Sequence, residues 1–224
     1  MRRLGQWCTA VVVIACGVAV AVPAAGAVTR HAQTDAKQHL LRLSDLPKGW
    51  KMTGSPRSTT KTTGTFTQLG SCEGISTQGI PSNPPNENEA FSTHGGVENV
   101  VESIAEFPSV AVAKRSNMLF TSAKAKSCIG TQLLKSLSKT ATGKTTSAKA
   151  TTAPLALPHL ATGSSGLELR VPLKTGNQTV TLVTDFVTIR SGKAIAVLSE
   201  IYAATTLNAA FARSIAKKAS SRLH

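Results

Sequence analysis

Residues Leu43–Gly54 read LSDLPKGWKMTG, which sets Pro47, Gly49 and one of the chain's two Trp residues within four positions. Upstream, AKQHLLRL over residues 36–43 offers Leu40, Leu41 and Leu43 to a short helix, with Thr34 or Asp35 as its N-cap. Pro47 stops that helix, because the residue before a proline is pushed out of the α region. Lys48-Gly49 then supplies a turn, and Trp50 starts an extended segment. The stretch predicts a helix converted into a first strand, with an indole planted in the core.

The chain before this stretch reads as a leader. Arg2 and Arg3 precede an apolar run, Cys8–Val22, which ends at Pro23 and Ala24-Ala25-Gly26-Ala27. A positive start, an apolar middle and an A-x-A end predict a signal peptide, residues 1–27, cut after Ala27. Two alternatives stay open. Val13-Ile14-Ala15-Cys16 followed by Gly17 resembles a bacterial lipobox, in which Cys16 would be lipidated and anchor the chain, although apolar sequence continues beyond it. The run also approaches the ~20 apolar residues that span a bilayer. All three readings place the domain outside the cytoplasm, secreted or held at the cell envelope.

Residues 28–224 are enough for a single domain. Without Arg2 and Arg3 they carry 23 basic against 11 acidic residues, a net charge of +12. Such an excess suits polyanionic partners, namely an anionic cell-wall polymer or membrane surface. The Lys residues are dispersed among Thr, Ser and Ala, which is also how a solvated surface reads. Nothing in this pattern points to a specific nucleic acid. Cys72 and Cys128 are the two cysteines beyond the leader, and in an oxidising compartment two such residues pair. By chain-entropy arguments that closure stabilises the fold by about 4 kcal/mol. His94 is the one histidine between them, too few ligands for zinc, and no metal or cofactor is expected.

Further along, Phe66–Cys72 reads as a short strand, and residues 79–89, GIPSNPPNENE, as irregular chain. Ala90–Thr93 and Val97–Phe107 flank His94-Gly95-Gly96 and suggest a hairpin. Its second arm, VENVVESIAEF, fits a strand or a helix; β-branched residues and the preceding Gly pair favour the strand. Ser109 caps a clearer helix with Val110, Ala113, Asn117, Phe120, Lys124 and Cys128 at three- or four-residue steps. Residues 135–152 hold six Thr and four Lys and read as a flexible connection, although Thr-rich edge strands look similar. After a turn at Gly163-Ser164-Ser165-Gly166, the segments LELRVPL, TVTLVTDFVTIR and AIAVLSEIYA form an antiparallel meander. Thr205 or Thr206 caps a last helix with Leu207, Phe211, Ile215 and Ala219 on one face. The fold class is α+β: an antiparallel sheet, made of the hairpin plus the C-terminal meander, packed against two main helices.

In order, the chain offers Asp45-Leu46-Pro47-Lys48-Gly49-Trp50, Cys72, Cys128, Val187-Thr188-Ile189-Arg190-Ser191-Gly192-Lys193 and Arg222-Leu223. This order resembles actinobacterial secreted domains related to the extracellular sensor domain of PknH-type receptor kinases. It is also similar to LpqN-like lipoproteins, whose architecture is PsbP-like. The resemblance covers residues 36–223 and implies a sheet with a concave face that binds an extracellular ligand without chemistry. Two departures stand out. The kinase sensor domains are expected to hold two disulfides where one is available here, and the Thr/Lys-rich insert has no counterpart in that pattern.

Motifs for catalysis do not assemble. Gly163-Ser164-Ser165-Gly166 lacks the spacing of a nucleophile elbow, and His94 has neither Ser nor acid placed with it. Glu98, Glu102 and Glu106 recur on one side, which reads as an exposed charged face. Asp185, flanked by Val183, Phe186 and Val187, reads as a buried acid paired with Arg170 or Arg190. The function expected is therefore non-enzymatic: an extracytoplasmic, sensor-like domain that takes a small or lipidic ligand in an apolar cleft. Trp50, Phe91, Phe107, Phe186 and Tyr202 are the candidate lining, although each also suits the core. The alternative is a basic envelope-associated protein that binds anionic polymer or surface through Lys135, Lys139, Lys144 and Lys149.

Overall fold

The structure is a computed structural model that describes residues 36–54, 65–81, 84–93, 98–131, 145–147, 151–158, 160, 163–175, 178–203 and 209–223. The expected leader with Ala27 and Cys16, the expected turn at His94, Thr205, Thr206, Leu207 and all four of Lys135, Lys139, Lys144 and Lys149 lie outside these residues.

Among the described residues, eight strands make one antiparallel sheet: β1 (Trp50–Met52), β2 (Asn86–Thr93), β3 (Asn99–Glu106), β4 (Thr145–Ser147), β5 (Thr151–Pro154), β6 (Ser164–Thr175), β7 (Gln178–Ser191) and β8 (Ala194–Ala203). Their order is β1-β2-β3-β8-β7-β6-β4, with β5 also on the outer side of β6. The expected hairpin and meander thus join through β3 and β8, which pair from Asn99↔Ile201 to Glu106↔Ala194. The described residues include three longer α-helices: α1 (Thr65–Glu73), α2 (Val110–Thr121) and α3 (Ala209–Arg222). Residues 36–39 and 125–131 are also helical. Among the described residues, no helix is long and apolar enough to cross a membrane.

Each face of the sheet has its own core. One packs Val100, Ile104, Val187, Ile189, Ala196 and Leu198 under α3 and under the chain around Leu40, Leu41, Leu46 and Trp50. The small residues Ala212, Ala216 and Ala219, all 0% exposed, let α3 lie close on the strands. The other core sets Leu167, Leu169, Phe186 and Ile195 against Leu69 of α1, Ala113 and Leu119 of α2, and Cys128. A sheet covered on both sides explains why strands such as AIAVLSEIYA are apolar on both parities.

The opening stretch acts as a clamp on the last helix. Asp45 Oδ2 accepts from the Arg42 backbone N–H at 2.8 Å and from Arg222 Nε at 2.7 Å. Burial pulls the Asp45 carboxyl upward, but those bonds and the Arg222 and Lys218 charges outweigh it and hold it below its ordinary value. The Trp50 ring stacks on Phe211, with centroids 5.4 Å apart and planes 11° apart. Gly49 turns the chain just before Trp50 at φ 102°, a region that other residues rarely enter. Arg222 also presents its carbonyl to His39 Nδ1. Leu223, last of the expected Arg-Leu pair, is buried in the same core.

Several local expectations are corrected. Phe66–Cys72 lies in a helix, not a strand: Leu69 and Glu73, one turn apart, both face inward, Leu69 against the α2 side. Cys72–Cys128 is a disulfide with Cα atoms 5.9 Å apart, and it ties helix to helix where a strand was expected at one end. Asn86–Glu89 are strand despite their composition, because each residue has a partner on β3 and Ser103 bonds the Asn88 side chain. In residues 135–152, Thr145–Ser147 and Thr151–Thr152 are edge strand on β6. Ser164–Gly166 belong to β6 where a turn was expected; a side chain on Gly166 would press to 2.6 Å from the Leu155 carbonyl. Ser109 does cap α2, accepting from Val112 N at 3.2 Å, but the helix breaks at Ser122 before resuming toward Cys128. Reduction of the disulfide is expected to lower stability by about 2–4 kcal/mol, read as a shift in the urea midpoint with and without reductant.

Candidate functional site: the acid-bearing face of the sheet

Side chains of a strand alternate between faces, so the pairing register assigns every strand residue to one side. All seven acids on the described strands fall on the same side: Glu87, Glu89, Glu102, Glu106, Glu168, Asp185 and Glu200. This is the face that α3 and Trp50 cover. A chain with an excess of 14 positive charges has gathered its strand carboxylates onto one surface.

Three of the acids form a row. Glu168 on β6 lies opposite Asp185 on β7, which lies opposite Glu200 on β8. Directly opposed residues bring their Cβ atoms to about 4.5–5.5 Å. Asp185 and Glu200 are both 0% exposed. Glu168 sits nearer solvent and pairs with Arg170 Nε at 2.6 Å, so Arg170 is already engaged. The Tyr202 hydroxyl donates to Asp185 Oδ2 at 2.8 Å. Asp185 Oδ1 and both Glu200 oxygens are buried without a hydrogen-bond partner. Glu102 is a diagonal neighbour of Glu200, because Val100 stands opposite Glu200 and Glu102 opposite Leu198. Its Oε2 accepts from the Leu41 backbone N–H at 2.5 Å, and its Oε1 has no partner.

Unpaired charge is costly in such a place, and the acids respond by holding their protons. Burial pushes Glu102 from its ordinary 4.5 up to about 8, against the opposing pull of the Leu41 bond and the Arg222 charge. Asp185 is driven by burial to about 6, with Tyr202 pulling it back and Glu168 adding to the rise. Glu200 is raised well above the usual carboxylate range by burial and by Asp185. Burial and the bond to Asp185 also push the Tyr202 phenol upward, so it stays a donor.

The expected partner of Asp185 is therefore corrected. Arg170 serves Glu168, and Arg190 lies on the opposite parity of β7, toward the other face. Glu102 is also not the exposed charge that its spacing with Glu98 and Glu106 suggested, because both faces of β3 are covered. The five aromatic candidates are all buried and are divided between the faces. Trp50, Phe91 and Tyr202 lie on the acid-bearing side, whereas Phe107 and Phe186 pack in the opposite core. They do not share one cleft. Glu200 and Glu168 were not expected from the sequence. The usable signal was Ala196, Leu198, Glu200, Tyr202: an acid on an alternating buried stripe.

No family model matches the chain, and no curated protein matches it. Among solved structures, the fold is similar to the crystal structure of the extracellular domain of PknH from Mycobacterium tuberculosis. The TM-score is 0.38 at 11% sequence identity, with 62% of this chain and 63% of that chain covered.

Proposed function

We propose that this chain is a non-enzymatic, extracytoplasmic binding domain of the bacterial cell envelope, sensor-like in role, which takes its ligand on the acid-bearing face of the sheet. The observation that carries the reading is Glu200, fully buried with both carboxylate oxygens unpartnered beside the half-satisfied Asp185. Buried polar atoms without partners are rare in folded proteins and call for an explanation. A ligand that completes them is one. Location outside the cytoplasm is supported by the Cys72–Cys128 disulfide, since such bonds persist in oxidising compartments. Recognition rather than catalysis suits Asp185 and Tyr202, because each fixes the other and the phenol keeps its proton.

The test is native mass spectrometry of the protein isolated from its own host, beside a denatured control and Glu200→Gln. A discrete added mass that disappears on denaturation, and is reduced in the variant, is the expected result. A bare polypeptide mass would count against the reading. Binding to an anionic polymer that weakens steeply with salt would move the function to the basic surface instead.

A further inference from the structure

We propose that the Asp185–Glu200 pair is the receptor for a ligand bearing a primary ammonium group, an inference that rests on the binding reading above. Asp185 Oδ1, Glu200 Oε1 and Glu200 Oε2 are three buried oxygens without partners, contributed by two residues that face each other across β7 and β8. A primary ammonium carries three N–H donors around one compact charge and no acceptor. Once Glu200 gives up the proton that burial makes it hold, three acceptors and a net acidic surrounding match that group in number and in sign.

The neighbours favour the same class. Tyr202 holds the second Asp185 oxygen at 2.8 Å and so orients the first. Arg170 is bound to Glu168 at 2.6 Å and so makes its ion pair outside the inner pair. The groups facing the site are Glu168 and Arg170 from β6, Tyr202 from β8 and, diagonally, Glu102 from β3. Acids outnumber bases among them. Exposure also falls inward along the row: the side chain of Arg170 is 51% exposed, that of Glu168 14%, while Asp185 and Glu200 are 0% exposed. A planar guanidinium would present five donors in a fork and leave two of them unserved by these three oxygens. A neutral hydroxyl would supply a single donor.

The probe is 1-pentylamine, compared with 1-pentanol of the same chain length, followed by ligand-observed NMR and thermal melting of the full chain. The expected result is binding and a higher melting temperature with the amine only. Glu200→Gln and Asp185→Asn should each weaken amine binding at least tenfold. Both substitutions keep the shape of the buried side chain and need no buried charge, so they should fold, and melting curves without ligand verify this. Equal binding of amine and alcohol, or amine binding indifferent to Glu200→Gln, would overturn the proposal. So would failure of the amine to bind, and the cargo in native mass spectra separates the two readings. A cargo without an ammonium group leaves the binding reading standing and removes this one, whereas no cargo and no amine binding removes both.

Discussion

Trp50→Ala should destabilise the fold by about 3–5 kcal/mol, the usual cost of truncating a buried large aromatic. The side chain is 7% exposed and sits in the core that joins the first strand to the last helix. Its loss would open a cavity beside Phe91 and remove the stacked contact with Phe211. That contact alone contributes about 0.5–1.5 kcal/mol beyond the area it covers. The defect should be felt at the C-terminus, since α3 would then rely more on the Asp45–Arg222 ion pair. Urea unfolding gives the energy, and amide hydrogen exchange along α3 gives its location. Trp50→Phe should recover most of the loss.

The second large effect is a stability that falls as pH rises. Glu102, Asp185 and Glu200 have native pKa values above their ordinary ones. In the interval between the two values the native chain binds protons that the unfolded chain has released. Stability is then fully present below the unfolded values, at about pH 4, and is lost as pH climbs through about 6 for Asp185 and about 8 for Glu102. Each unit of such a shift is worth about 1.4 kcal/mol. Several kcal/mol should therefore separate the chain at about pH 5 from the chain at about pH 8. Asp45 acts in the opposite sense, since its lowered pKa adds stability that is lost as pH falls, below the window of the other three. Glu102→Gln should stabilise the protein at about pH 8 by roughly 1–3 kcal/mol and flatten the profile. Thermal melting from about pH 5 to pH 8 would show both effects. A wild-type chain more stable at the alkaline end would contradict the burial of these acids.

The fold was readable where local chemistry agreed with tertiary demand. The Pro47-Lys48-Gly49-Trp50 turn, the Ser109 cap, the β6–β7–β8 meander and the face of Phe211, Ile215 and Ala219 follow from turn residues, capping and periodicity alone. Misreadings arose where contacts distant in sequence decide. Asn86–Glu89 become strand because β3 offers partners, and Thr65–Glu73 becomes helix because Leu69 packs toward the α2 side, with a disulfide from Cys72 fixing its end. The candidate site was less legible than the fold. Asp185 could be singled out as an acid among apolar neighbours, but its partner is a tyrosine on the next strand, and only register reveals that. Glu200 and Glu102 were hidden for a related reason: alternation marks one face of a strand as wet, and this sheet has no wet face at its centre. The aromatic residues misled in the opposite direction. Large side chains spaced along a sequence suggest a cleft, yet these fill two cores on opposite sides of one sheet.

The most direct measurement is a site-resolved titration of the side-chain carboxyl carbons of Asp185 and Glu200 by NMR. The account predicts Asp185 titrating at about 6 and Glu200 far above an ordinary glutamate, with both moving to lower pH when an amine is bound. Titration of both at ordinary carboxylate values of about 4, unmoved by amine, would contradict it.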